Sequence, residues 1–239
     1  MNETVKTNVQ QTTPNYKPKI TWKSILLFGI SFLGLSVIIG FIAGIIQEIT
    51  GKEVVDFLFT GNNVILMDAF MFLIVFILFK NIRSYILDAC SFAPLKRVKT
   101  YGYLLLGIVI LMASQYLFIE VLKVDDISVQ PERFGIDEAK ASVLQSFLLF
   151  LSLAIVTPIK EEFLYRGLIH RFLEERYHFL VGFFVSSIIF GLLHIGYPIS
   201  ATVMGMVFVG LYHLTKSLMV PIVLHMVWNL YAVILLLSA

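Results

Sequence analysis

The sequence predicts an all-α, polytopic integral membrane helix bundle with about seven transmembrane helices, and three observations carry that prediction. First, 58% of the 239 residues are hydrophobic and only 14% are charged, more apolar surface than one compact water-soluble unit could hide. Second, the apolar residues come in uninterrupted blocks close to the roughly 20 residues that cross a bilayer. Third, the few polar residues inside those blocks are clustered, although each ionisable group costs roughly 2.5–3.5 kcal/mol at the bilayer centre. The formal net charge of +2 is small and dispersed, which argues against a nucleic-acid partner and leaves the lipid bilayer as the surroundings. Cys90 is the only cysteine, so an intramolecular disulfide, a zinc knuckle and a thioredoxin-type site are all excluded.

Residues 1–23 contain Lys6, Lys17, Lys19 and Lys23 with Pro14 and Pro18 among polar neighbours, and read as a disordered cytoplasmic tail. Ser24 to Ile46 then runs without a charged residue and makes the first span, too long for the apolar core of a signal peptide. Further spans are expected at 62–79, 101–119, 141–159, 179–196, 200–215 and 217–237. The loop at 80–100 carries Lys80, Arg83, Lys96, Arg97 and Lys99, and the connection after the fourth span carries Lys160, Arg166, Arg171 and Arg176. Both are expected in the cytoplasm with the N-terminus, while the acid-rich stretch from Glu120 to Lys140 faces outward. Residues 24–140 are thus read as N-terminal transmembrane helices and 141–239 as a separate transmembrane core, the part in which catalytic residues are sought below.

Three polar clusters lie in that core: Glu161-Glu162-x-x-x-Arg166, Phe190-x-x-x-His194 and His225-x-x-x-Asn229. Counted from the hairpin turn near Tyr177 and His178, Glu161 and His194 reach the same level of two antiparallel helices. Glu162 and Arg166 are four apart and share a helix face, which predicts that Arg166 neutralises Glu162 and leaves Glu161 free to turn inward. His225 and Asn229 are stacked on one face of the last span, at the level of His194. Pro158 removes a backbone donor just before Glu161, so a kink and a freed carbonyl are expected there. Phe190 is expected to pack beside the site and limit water. Asp68, alone in the second span, reads as an interhelical hydrogen-bonding residue or a near-interface carboxylate. Plainer readings stand beside these: a solvated amphipathic helix for Glu161, Glu162 and Arg166, and packed core imidazoles for His194 and His225.

Amide hydrolysis needs a water, a base for its proton and donors for the developing oxyanion. In this constellation Glu161, assisted by His194, would activate the water, and His225 with Asn229 would donate to the oxyanion. The three motifs, in this order on successive hydrophobic helices, resemble those of the CAAX protease and bacteriocin-processing family of intramembrane endopeptidases, over about residues 141–237. The resemblance implies that Glu161 is the catalytic glutamate, His194 its water-activating partner, and His225 and Asn229 the oxyanion-binding pair. Glu162 and Arg166 fall on motif positions of structural character.

Family members are often described as metalloproteases. Zinc held by Glu161, His194 and His225 is therefore the alternative to a cofactor-free mechanism, although no His-Glu-x-x-His helix is present. The expected partner is a peptide or protein substrate, membrane-associated or lipidated, in a bacterial cell membrane. Two other functions use the same residues: bacteriocin self-immunity by binding without cleavage, and transport with the polar groups as an ion relay. Because the site lies toward the cytoplasmic end of the fourth span, access is expected from the cytoplasm or the inner leaflet.

Overall fold

The computed structural model describes residues 20–238; residues 1–19 of the expected tail and Ala239 lie outside it. The described chain is helical throughout: α1 (Trp22–Thr50), α2 (Val54–Phe59), α3 (Gly61–Leu78), α4 (Lys80–Asp88), α5 (Val98–Val121), α6 (Gln130–Phe134), α7 (Ile136–Lys140), α8 (Val143–Arg176), α9 (Phe179–Leu192), α10 (Pro198–Thr215) and α11 (Met219–Ser238). Six of these, α1, α3, α5, α8, α10 and α11, are long and apolar enough to cross a membrane. Leu33, Val37 and Phe41 of α1 are 65%, 72% and 70% exposed, which water would not tolerate in a continuous apolar face and lipid does. The chain is an integral membrane protein.

The fifth expected span, 179–196, is shorter in the structure: α9 has 14 residues and ends at Leu192, a rise of about 21 Å. The chain reverses at Gly196, whose φ of +94° is a left-handed conformation suited to glycine. A Cβ there would strike the Asp126 carbonyl. His194 therefore sits in the turn beyond the helix end, not inside a span. The start of the first span moves too, since Trp22 and Lys23 already belong to α1, with Thr21 Oγ1 capping the Ser24 amide at 3.2 Å.

Helix α8 is longer than the expected 141–159 and contains two wide, π-type stretches, Leu151–Val156 and Phe163–His170, on either side of Pro158-Ile159-Lys160-Glu161-Glu162. In the π register the amide of residue 158 would serve the carbonyl of residue 153, but proline has no N–H. The freed Leu153 carbonyl accepts instead from Asn229 Nδ2 of α11 at 2.8 Å.

The two ends of the bundle are tied separately. At one end Trp22 Nε1 donates to Tyr177 Oη at 3.3 Å, and Arg171 binds the Tyr85 carbonyl at 2.6 Å and Asp88 at 3.0 Å. There too Ser217 Oγ donates to the Ser91 carbonyl at 2.6 Å. At the other end the segment after α5 folds over the α9–α10 turn. Asp125 accepts from the amides of Ile199 (3.2 Å) and Ser200 (2.7 Å) and from the Ser200 hydroxyl (2.6 Å), while Gln130 Nε2 donates to the Ile195 carbonyl at 2.9 Å. Asp125 thus caps α10 from outside its own chain segment.

Replacing Asp125 by Ala is expected to lower stability by about 1–2 kcal/mol through loss of this cap. A melting temperature in detergent equal to that of the parent protein would contradict it. Burial also pushes the Cys90 thiol up to about 11, which lowers its thiolate fraction at neutral pH about 100-fold. Maleimide labelling of Cys90 is therefore expected to be slow at pH 7.5 and to accelerate as pH rises; labelling as fast as free cysteine would be inconsistent with that burial.

Candidate active site

The centre of the site is one oxygen. Oε1 of Glu162, with no exposed surface, accepts from Arg166 Nη1 at 2.9 Å and from His225 Nδ1 at 2.9 Å. Arg166 is equally buried; its Nη2 donates to the Gly205 carbonyl at 3.1 Å, and its guanidinium lies 4.4 Å from the ring centre of Phe190 and 5.0 Å from that of Phe208. The i, i+4 pair read from the sequence is present, and the solvated-helix reading of Glu162 and Arg166 is not what the structure shows.

Glu161 turns away from this pair toward two imidazoles. Its Oε2 lies 3.7 Å from His225 Nε2 and 4.0 Å from His194 Nε2, and this buried oxygen has no hydrogen-bond partner. These gaps are too long for direct hydrogen bonds. The outer face of each ring nitrogen is set by what holds the other. His225 Nδ1–H donates to Glu162, and His194 Nδ1 lies 2.6 Å from the Phe190 carbonyl, so in the neutral rings both Nε2 lone pairs face Glu161. Phe190 is fully buried and supports both rings, 4.3 Å from His194 and 5.9 Å from His225 between ring centres.

Asn229 is drawn to the same place, but one hydrogen of its amide is committed to Leu153, leaving the second hydrogen and Oδ1 for the site. Asp68 is paired with Lys160, the neighbour of Glu161, across α3 and α8. The donor types of Glu161, His194 and His225 suit zinc. Among the described residues, however, no group of three or more His, Cys, Asp or Glu side chains is spaced to hold a metal ion.

Several participants were not found in the sequence. Phe208 stacks on His225 at 4.6 Å and 23°, and Gly205 brings α10 so close to α9 that a Cβ would lie 2.9 Å from Ser187 Cα. A phenylalanine in an apolar helix carries no distinguishing signal, but the small residues Ser186, Ser187 and Gly205 on adjacent helices could have marked a close crossing.

Above Glu161, His194, His225 and Asn229 opens a cavity of about 480 Å³. Its upper walls are Val64, Ile65, Phe134, Tyr231, Leu235 and Leu236, with Asp68 and Gln115 among them. These residues belong to the end of the bundle where α3 begins and α11 finishes, opposite the basic loop between α3 and α5. The cavity lining thus lies on the side of Glu161 away from the basic loop, whereas access was expected from the cytoplasm or the inner leaflet.

Comparison with known proteins decides the kinship of this part of the chain. Residues 143–231 match the family model described as type II CAAX prenyl endopeptidase Rce1-like. This segment is similar to the Rce1-like family over well under half of the chain. It contains all three polar motifs and reaches from the first residue of α8 into α11. The chain is also similar to "Putative membrane peptidase YdiL" of Bacillus subtilis (strain 168), 36% identical over 101 residues. That match spans 41% of this chain and 41% of the relative, so the likeness concerns less than half of either. No solved structure matches. The Rce1-like segment supplies every ionisable group at the cavity floor, whereas Val64, Ile65, Asp68, Gln115 and Phe134 of the walls come from outside it.

The buried pair makes a sharp expectation. Arg166→Ala strands the Glu162 carboxylate and is expected to cost about 3–5 kcal/mol, whereas Glu162→Gln with Arg166→Met removes both charges and recovers much of that loss. Thermal melts in detergent read the difference; equal melting temperatures for the single and double variants would show that the pair is not a closed charge network.

Proposed function

We propose that the protein is an intramembrane endopeptidase that hydrolyses peptide bonds with a glutamate-activated water. The observation that carries this reading is the buried, unpartnered Glu161 Oε2 at the cavity floor, facing two oriented imidazoles. Kinship of residues 143–231 with endopeptidases supports it.

In the proposed step Glu161 accepts a proton from water as the water oxygen attacks the scissile carbonyl carbon. His194, fixed by the Phe190 carbonyl, positions that water through Nε2. The oxyanion is met by His225 and by the free amide hydrogen of Asn229. In neutral His225 the Nε2 atom is an acceptor, so donation to the oxyanion uses the imidazolium, whose Nδ1–H is held by the Glu162 carboxylate. Collapse of the tetrahedral intermediate breaks the C–N bond, and protonated Glu161 returns its proton to the leaving amine. Arg166 and Phe190 hold these groups in place. The apolar walls at Ile65, Phe134, Leu235 and Leu236 suit a membrane-associated or lipid-bearing peptide.

Terminal-fragment proteomics of cells carrying the wild-type protein or Glu161→Gln is expected to reveal termini that depend on Glu161. With such a substrate, purified Glu161→Gln and His194→Ala should each lose about 10²–10⁴-fold in rate. Cleavage by Glu161→Gln at the wild-type rate would refute the assignment of the base. Protection from a bacteriocin that persists in both His194→Ala and His225→Ala would point to binding instead. Turnover is expected to survive dialysis against a strong chelator; stoichiometric zinc whose removal abolishes turnover would replace this mechanism with a metal-dependent one.

A further inference from the structure

The two ends of the bundle differ in charge, and the cavity belongs to one of them. Trp22, Tyr85, Ser91, Arg171 and Ser217 are joined at the closed end by the contacts described above, and the connection between α3 and α5 with the first turn of α5 adds Lys80, Arg83, Lys96, Arg97 and Lys99. The open end carries Asp125, Asp126, Glu132, Asp137 and Glu138 against Lys123, Arg133 and Lys140. This acid-rich segment is part of the cavity itself: Ile127, Gln130, Arg133 and Phe134 line it. The segment is also anchored beside His194, where the Asp126 amide donates to the Gly196 carbonyl at 2.6 Å and Gln130 binds the Ile195 carbonyl.

Short loops rich in Lys and Arg are retained in the cytoplasm, and acidic residues count for little in that bias. The basic loop between α3 and α5 is of this kind. The end tied to it is then cytoplasmic, and the mouth above Glu161 faces away from the cytoplasm.

We propose that the active-site cavity opens to the extracytoplasmic side, so that its substrate is a peptide or protein segment presented at the outer leaflet or outer surface, with apolar residues to fill the walls. A cytoplasmic C-terminus would meet the closed end. The substrate class rests on the endopeptidase reading given above; the sidedness does not.

Single cysteines test the sidedness without any activity. In full-length protein carrying Cys90→Ser, Ser128→Cys marks the rim and Ser84→Cys marks the basic end; both serines are exposed and neutral. A membrane-impermeant maleimide added to intact cells is expected to label Ser128→Cys at least 10-fold more than Ser84→Cys, with both labelled after permeabilisation. Labelling of Ser84→Cys in intact cells, or of Ser128→Cys only after permeabilisation, would overturn the proposal. The substrate arm is read separately, from the positions of Glu161-dependent cleavage sites. Sites in extracytoplasmic segments support the proposal, and sites confined to cytoplasmic segments refute it even if the endopeptidase reading holds. Absence of any Glu161-dependent fragment alongside outside labelling of Ser128→Cys would sink the endopeptidase reading and the substrate class while leaving the cavity's orientation standing.

Discussion

Everything at the cavity floor depends on keeping three ionisable groups away from water without leaving any of them alone. Glu162, Arg166 and His225 have almost no exposed surface, and a single carboxylate oxygen joins the other two. Desolvating such charges costs several kcal/mol each unless attraction and hydrogen bonds offset it. The offset here comes from a bidirectional arrangement: the guanidinium also reaches the Gly205 carbonyl and two aromatic faces, while the imidazole is clamped against Phe208. Three helices, α8, α10 and α11, are thereby locked in one relative position. Glu161 inherits its direction from that lock, because it is the residue next to Glu162 and must point elsewhere.

The division of labour along the chain follows from this. Residues 143–231 hold the charge network, and that is the stretch the Rce1-like family model matches. The helices before it contribute apolar and weakly polar wall, such as Val64, Ile65 and Gln115, together with Asp68, which engages Lys160 beside the catalytic candidate. A floor that must balance buried charge admits few substitutions, whereas a wall that only has to fit an occupant can vary. Selectivity is thus expected to reside in the helices that precede residue 143.

Much of this was legible in the residues. Helical spacing alone paired Glu162 with Arg166 and turned Glu161 inward, because side chains four apart share a face and adjacent ones do not. Counting from the Tyr177 turn brought Glu161 and His194 to one level, since hairpin geometry is nearly additive in residue number. Pro158 pointed to a freed carbonyl, though not to its recipient: the wide helical turn made Leu153 the orphan, and Asn229 found it through a tertiary contact that spacing does not encode. The early end of α9 also escaped, because hydropathy continues through Leu192, Leu193 and Ile195 while the turn is decided by Gly196 and by hydrogen bonds from Asp126 and Gln130. Position along α8 reports where Glu161 lies, not which helix ends enclose the space beside it, so walls such as Val64 and Leu236 could not be read from it.

The brevity of α9 has a consequence for the surrounding lipid. A helix rising about 21 Å falls short of a hydrocarbon layer of roughly 30 Å. Non-helical backbone at such depth persists only where protein or a water-filled recess shelters it. The acidic segment that drops onto the α9–α10 turn provides that shelter, and the bilayer beside it is expected to dimple, exchanging hydrophobic mismatch for a locally thinner membrane.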